Sequence, residues 1–559
     1  MKDIEIKLEA DPTDKLLEEN PVEIINRSTS NNSLRSEGTR PDESRYLQEP
    51  TTKKELETPY QRRLRKKSHL VIYATTFIMS IGFSVVLTGV WPYLKKLDPS
   101  ASKEFLGWVI AINPLGQMFA SPILGWWGGH RGSNRLSFIL TILLFIVGNI
   151  LYAILPLFDD LAKHMMLLSR FIVGISSANI AICRSYISSS TMQAERTISL
   201  SIIAAAQSMG YILGPCLQTA LAYAYPNNPK NYTLLNGTDA VGSTDNYYDE
   251  PIYDILFNMY SLTGWITALL GFLNLFIMLP CVYKEFNIAQ NEERSKDDDK
   301  NSSSGTRERA TDFVAIAILL FGYFSILLIY VLLETLIVPM CLDLYAWTPE
   351  FTVKVVGLGL TVAGVITFFV FILSGQLAKI FNDRKIFILC GLVPLTLSML
   401  IFFPVAGETP KIKYCASPSD GVTNSSVTSS IVRRAAVLNS HCEELGCPSS
   451  QKWCFYTPRI HLPQLVTACF LTTLGYPVGI SLAGAIFSKM LRVKEQGLWM
   501  GILTSSGSLS RFLGPIFVSY LYTAKGPLWT FAVLFVLLLI VVILHVLFYK
   551  RMAPLSKPT

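Results

Sequence analysis

Four ionisable side chains stand inside otherwise apolar runs. Arg170 and Arg184 lie in LLSRFIVGISSANIAICRSYI (Leu167 to Ile187), Glu334 in LLETLIVP, and Arg511 in TSSGSLSRFLGP. A guanidinium offers five fixed donors and does not deprotonate usefully, so it suits carboxylate, phosphate or halide. A carboxyl in such surroundings either carries a proton or partners an arginine. Arginine at the centre of a bilayer costs about 2.5–3.5 kcal/mol even on the mildest scale. An acid, a bound anion or backbone carbonyls in a wet cavity must offset that cost.

The elements that hold these groups follow from composition. Half of the 559 residues are hydrophobic and only 16% are charged, and the apolar residues come in runs of about twenty, the length that crosses a bilayer as helix. The runs are too long and too little alternating for barrel strands. Twelve spans are predicted, at 69–91, 105–127, 136–157, 165–187, 198–224, 257–281, 313–338, 355–380, 386–405, 460–488, 498–522 and 528–548. The fold class is an all-α membrane protein with two six-helix halves. Residues 1–67 read as a disordered cytosolic tail, 68–282 as the first half and 283–311 as a polar cytosolic linker. The second half is 312–549, with a lumenal insert at 406–458, and 550–559 form a second cytosolic tail.

Basic residues collect before span 1 (Arg62, Arg63, Arg65, Lys66, Lys67) and after spans 2, 4, 6, 8, 10 and 12, which puts both termini in the cytosol. The opposite loops carry glycosylation sequons at Asn231, Asn236 and Asn424. Cys415, Cys442, Cys447 and Cys454 cluster in the insert and suggest two disulfides, with three connectivities open. Zinc is the alternative reading, although no close CxxC pair occurs there. No nucleotide-binding loop or nucleophile elbow appears, and the six histidines are scattered. Neither an enzyme, a cofactor nor a nucleic-acid partner is therefore expected.

GWWGGHRGSNR, from Gly125, and GQLAKIFNDRK, from Gly375, resemble the loop motif of the major facilitator superfamily. Gly125, Gly132 and Arg135 fit it, whereas Gly129 replaces the acid and His130 the base. GYILGP (Gly210, Gly214, Pro215) resembles that superfamily's helix-5 motif, and SRFLGP (Gly514, Pro515) is its counterpart 300 residues later. The resemblance implies a duplicated six-helix unit around a central cavity, and Arg170 matches the arginine of the helix-4 motif. Segments such as GFSVVLTGVWPYLKKLDP, ETLIVPMCLDLYAWT and WCFYTPRIHL further resemble the lysosomal branch of the superfamily linked to neuronal ceroid lipofuscinosis. That likeness implies a lysosomal or late-endosomal membrane and an anion conductance, notably chloride. Leu16-Leu17 has Pro12 where a dileucine signal carries its acid, so the location rests on resemblance.

At 100° per residue Arg170, Gly174, Ser177, Ala181 and Arg184 fall on one helix face. Arg184 sits close enough to the cytosolic end to snorkel, and Arg170 serves either a cavity or a structural pairing. Arg511 is the arginine with least access to water. Glu334 reads as a proton-coupling carboxylate or an arginine's partner. Gln464, Tyr476, Ser80, Ser84 and Thr88 are further expected cavity-lining groups. Three arginines against one glutamate predict a small anionic substrate, with protons as a further partner and lipid as the surroundings. A proton-coupled exporter of an organic metabolite is the alternative. A non-transporting scaffold is disfavoured, because unused intramembrane charge would carry a cost without return.

Overall fold

The computed structural model describes residues 57–101, 103–224, 258–301, 311–404, 407–413, 446–448 and 450–554. The first half begins with α1 (Pro59–Leu97), which starts ten residues before the predicted span. A capping box explains the early start. Gln61 donates its amide to Thr58 Oγ1, the Gln61 side chain accepts from the Thr58 amide, and Pro59 occupies the first turn. The basic run is thereby wound into helix. Arg65 turns inward, 2% exposed, because Glu57 (2.6 Å) and Glu195 (3.2 Å) pair with it.

The first half continues with α2 (Lys103–Arg131), α3 (Arg135–Ala153), α4 (Ala162–Ser176), α5 (Asn179–Ser190), α6 (Arg196–Ala224) and α7 (Met259–Ile277). After α8 (Ile288–Asn301) the second half comprises α9 (Phe313–Tyr345), α10 (Pro349–Ile380), α11 (Asp383–Ile386), a π-helical turn, α12 (Val393–Ile401), α13 (Leu462–Lys489) and α14 (Gln496–Leu547). Among the described residues ten helices are long and apolar enough to cross a membrane. Two features bring this to the twelve expected. Asn113, Gln117 and Ser121 dilute the apolar run of α2, which is still 29 residues long. The last helix breaks at Gly526, whose φ of 83° ends span 11 and starts span 12. The fourth span is one crossing made of α4 and α5, with a tight turn at Ser177–Ala178.

Small residues set the helix spacing, since no hydrophobic force separates one apolar helix from lipid. A Cβ at Gly214 would lie 1.9 Å from Ser84 Oγ and 2.7 Å from Val85 N, so Gly210 and Gly214 hold α6 against α1. The halves meet along two related seams, α2 with α14 and α6 with α10. On the side of the chain termini the first seam is backbone against backbone, at Gly125 and Gly497. That side is also fastened by polar bonds across the halves. Arg196 Nη1 donates to Ser488 O at 3.1 Å, and Thr197 Oγ1 donates to Asp383 Oδ2 at 3.1 Å, where Lys489 also binds.

Part of the polar linker is helical. Its α8 buries Ile288 and Ala289 and touches both halves. Glu292 accepts from the Gln193 amide (3.0 Å) and Glu293 from the Val493 amide (3.3 Å). The polar composition that marks the linker supplies carboxylates for backbone amides at two loops.

In the insert, β1 (Ile412–Lys413) pairs in parallel with β2 (Cys447–Pro448), and Cys447 is bonded to Cys454. Of the expected four-cysteine cluster, Cys415 and Cys442 lie outside the described residues, as do Asn231, Asn236 and Asn424. Trp453 is buried against Gly526, where a Cβ would lie 2.6 Å from its ring, and packs edge-on to Tyr522.

Candidate functional site

Between the halves, α1, α2, α5, α6 and α14 border a narrow cavity of about 30 Å³. Its polar wall is formed by Ser80, Gln117, Asn179, Gln207, Tyr211 and Arg511. Polar residues on these otherwise apolar helices turn away from lipid, toward the cavity or toward partners in the helix seams, as Asn179 does in donating to Thr141 Oγ1 at 2.7 Å.

Arg184 and Arg511 approach this space from opposite halves. On α5, Arg184 Nη1 donates to Tyr323 OH of α9 at 2.7 Å, and Nη2 donates to Gln207 Oε1 at 3.4 Å. Gln207 Nε2 in turn donates to Tyr211 OH at 2.9 Å. On α14, the Arg511 guanidinium is half-buried and lies within electrostatic range of the Tyr211, Tyr323 and Tyr476 hydroxyls and of Glu334. Glu334 on α9 is exposed to interior space while surrounded by protein, one turn from Tyr330. Tyr330 stacks on Tyr476, with ring centroids 4.1 Å apart and planes at 17°. Gln117 closes the ring from α2, accepting from Ser508 Oγ at 2.9 Å and donating to Ser177 O at 2.9 Å.

The remaining expected groups are spread out. Ser80 lines the cavity, although its hydroxyl donates to Thr76 O. Ser84 sits in the α1–α6 seam, donating to Gly210 O. Gln464 lies at the start of α13 and donates to Ile401 O and Phe403 O, closing the end of the ninth span. The Thr88 side chain lies outside the described residues.

Arg170 stands apart from the cavity. It is 2% exposed among α2, α3 and α4, within reach of Tyr152, and its Nη1 has no hydrogen-bond partner. The helical wheel that united it with Arg184 assumed one straight helix, whereas the turn at Ser177–Ala178 separates the two faces. The residues that sequence reasoning did not single out are Gln117, Asn179, Gln207, Tyr211, Tyr323 and Tyr330. Their polarity within apolar spans was the available signal.

The motif glycines occupy seams. Gly125 meets Gly497, Gly210 and Gly214 meet α1, Gly375 meets Ser201, and Gly514 meets Val331. Gly132 takes a φ of 70° at the turn after α2, while Pro215 and Pro515 lie inside α6 and α14. At the worn motif positions His130 stacks on Trp126 and Arg131 sits over Trp127.

Comparison with known proteins agrees with this architecture. The Major Facilitator Superfamily profile matches residues 72–439 and 451–559. The chain is 34% identical over 505 residues to the Major facilitator superfamily domain-containing protein 8 of Xenopus laevis, covering 90% of this chain and 94% of that one. Among solved structures, the human organic anion transporter MFSD10 (TETRAN) aligns with a TM-score of 0.54 at 14% identity, over 88% of this chain and 100% of its own. The proton:xylose symporter XylE aligns with a TM-score of 0.59 at 13% identity, over 89% and 97%. At these identities the two structures speak to the fold alone.

Proposed function

The chain belongs to the major facilitator superfamily, and from that membership and the site's geometry we propose that it moves small anions, chloride or organic, across an endolysosomal membrane. It is a multi-pass membrane transporter. The observation that carries the anion reading is that Arg511 of the second half lines the interior cavity while Arg184 of the first half binds Gln207 of its wall. Two guanidinium groups without a matching pair of carboxylates leave that cavity positive. Both termini are assigned to the cytosol from the distribution of lysine and arginine, and the endolysosomal membrane from the segment resemblance.

In this reading the halves, residues 68–282 and 312–549, rock about the site. The seams at Gly125–Gly497 and the bonds of Arg196, Thr197 and Asp383 hold the termini side shut. Opening that side means breaking them. The test is flux in liposomes holding the purified full chain, with chloride and a panel of lysosomal metabolites, at two lumenal pH values. Anion flux that falls on substitution of Arg511 is expected. No anion flux above protein-free vesicles overturns the reading.

A second reading has one observation in its favour. Glu334 faces interior space rather than closing on an arginine, as a proton-coupling carboxylate would. Glu334→Gln should then abolish the pH dependence of flux, because an amide mimics the protonated acid in size. Unchanged pH dependence would reject proton coupling through this residue.

A further inference from the structure

The protein contains an internal standard for a structural ion pair. Arg65 and Glu57 close to 2.6 Å, with side chains 2% and 8% exposed. Arg511 and Glu334 behave differently. They lie on separate helices of the second half and interact electrostatically, yet they form no direct ion pair. The glutamate is exposed to interior space and the arginine half-buried at the cavity wall. Two opposite charges that interact but are not closed on each other present one anion-binding and one cation-binding group.

Resting on the reading of this cavity as the transport site, with Arg511 as its anion-binding group, we infer that the cargo is a zwitterion, its anionic group held by Arg511 and its ammonium by Glu334. A plain anion leaves Glu334 to repel it. A small molecule carrying both charges satisfies both groups. The guanidinium fork fits a carboxylate through two parallel bonds, and a carboxylate accepts from an ammonium. Beside them, the Tyr330–Tyr476 stack offers ring faces, against which a planar or apolar side group packs. Tyr211 and Gln207, from the first half, bound the other side. An aromatic amino acid carries all three features.

The test uses the full chain in nanodiscs and three probes that differ by one charge each: phenylalanine, 3-phenylpropanoate and phenethylamine. Binding is read by calorimetry and by thermal stabilisation. Wild type should bind phenylalanine about tenfold or more tightly than either single-charge analogue, because each charge-assisted contact contributes on that scale. Glu334→Gln should bring phenylalanine and 3-phenylpropanoate to near-equal affinity, and Arg511→Gln should do so for phenylalanine and phenethylamine. The wild-type ranking tests the inference without relying on the folding of either variant.

Equal binding of phenylalanine and 3-phenylpropanoate by wild type overturns the zwitterion assignment and leaves the anion reading standing. Binding of phenethylamine alone overturns both. No binding of phenylalanine overturns the zwitterion assignment, and chloride flux in the liposome assay then decides the anion reading separately.

Discussion

Gly497→Ala should shift the transporter away from the state closed on the termini side. A Cβ at Gly497 lies 2.3 Å from Gly125 O and 3.2 Å from Gly129 Cα, whereas heavy atoms in good contact sit about 3.5 Å apart. The obstruction is backbone, so no side chain can swing aside. Helices α2 and α14 must part by about 1 Å, which loosens the neighbouring bonds of Ser505 to Met118 O (2.7 Å) and Ser508 to Gln117 (2.9 Å). Overpacking of this kind costs about 1–3 kcal/mol. If rocking separates α2 from α14, the penalty falls on the closed state alone, and the equilibrium between states moves by about 5- to 150-fold. The assay is pulsed electron spin resonance between labels at the exposed positions 131 and 494, with Cys216, Cys281 and Cys390 replaced by serine. The distances should shift to longer values, and cargo should enter more readily from the termini side. An unchanged distance distribution in a variant of normal thermal stability would refute the assignment of this seam as a gate.

Three other expectations are open to direct measurement. Arg511→Lys keeps the charge but loses the planar fork, so transport per correctly localised molecule should weaken yet persist, while Arg511→Gln should lose far more; a well-folded Arg511→Gln moving anions at the wild-type rate would remove Arg511 from the site. Glycosidase treatment should reduce the apparent mass of the wild type, and the combined Asn231→Gln, Asn236→Gln and Asn424→Gln variant should lose that shift; glycans at Asn26, Asn31 or Asn301 would reverse the orientation. At the far end of α1, Lys163 Nζ donates to Asp98 Oδ2 at 2.8 Å, and this bond, with Ser100, holds the Asp98 carboxyl down at about 2. A depressed carboxyl contributes stability above its ordinary value near 4 and loses it only as pH falls through about 2. The melting-temperature difference between wild type and Lys163→Met should therefore be the same at pH 7 and pH 5 and shrink only below about pH 4; shrinkage between pH 7 and 5 would contradict the pairing.

The sequence by itself determined the twelve spans, their duplication and several seam glycines, Gly125, Gly210 and Gly214 among them though not Gly497, because these follow from local quantities. A helix must be about twenty apolar residues long to cross, and a position pressed against a neighbouring backbone tolerates only glycine. It also marked Arg511, Arg184 and Glu334, since charge in an apolar run is conspicuous wherever the run folds. Which charges share a space was decided by the tertiary structure. Arg170 and Arg184 share a face on one ideal helix, but the turn at Ser177–Ala178 sends Arg170 into the packing of α2, α3 and α4 while Arg184 reaches Tyr323 of the other half. Gln464, polar and near a span end, caps carbonyls instead of lining the cavity. The linker carries the clearest lesson. Its composition is polar, and the burial of Ile288 and Ala289 together with the amides of Gln193 and Val493, brought in from two distant loops, helps make a bridging helix of it. Periodicity and burial are written residue by residue, but a partner hundreds of positions away becomes visible only once the chain has folded.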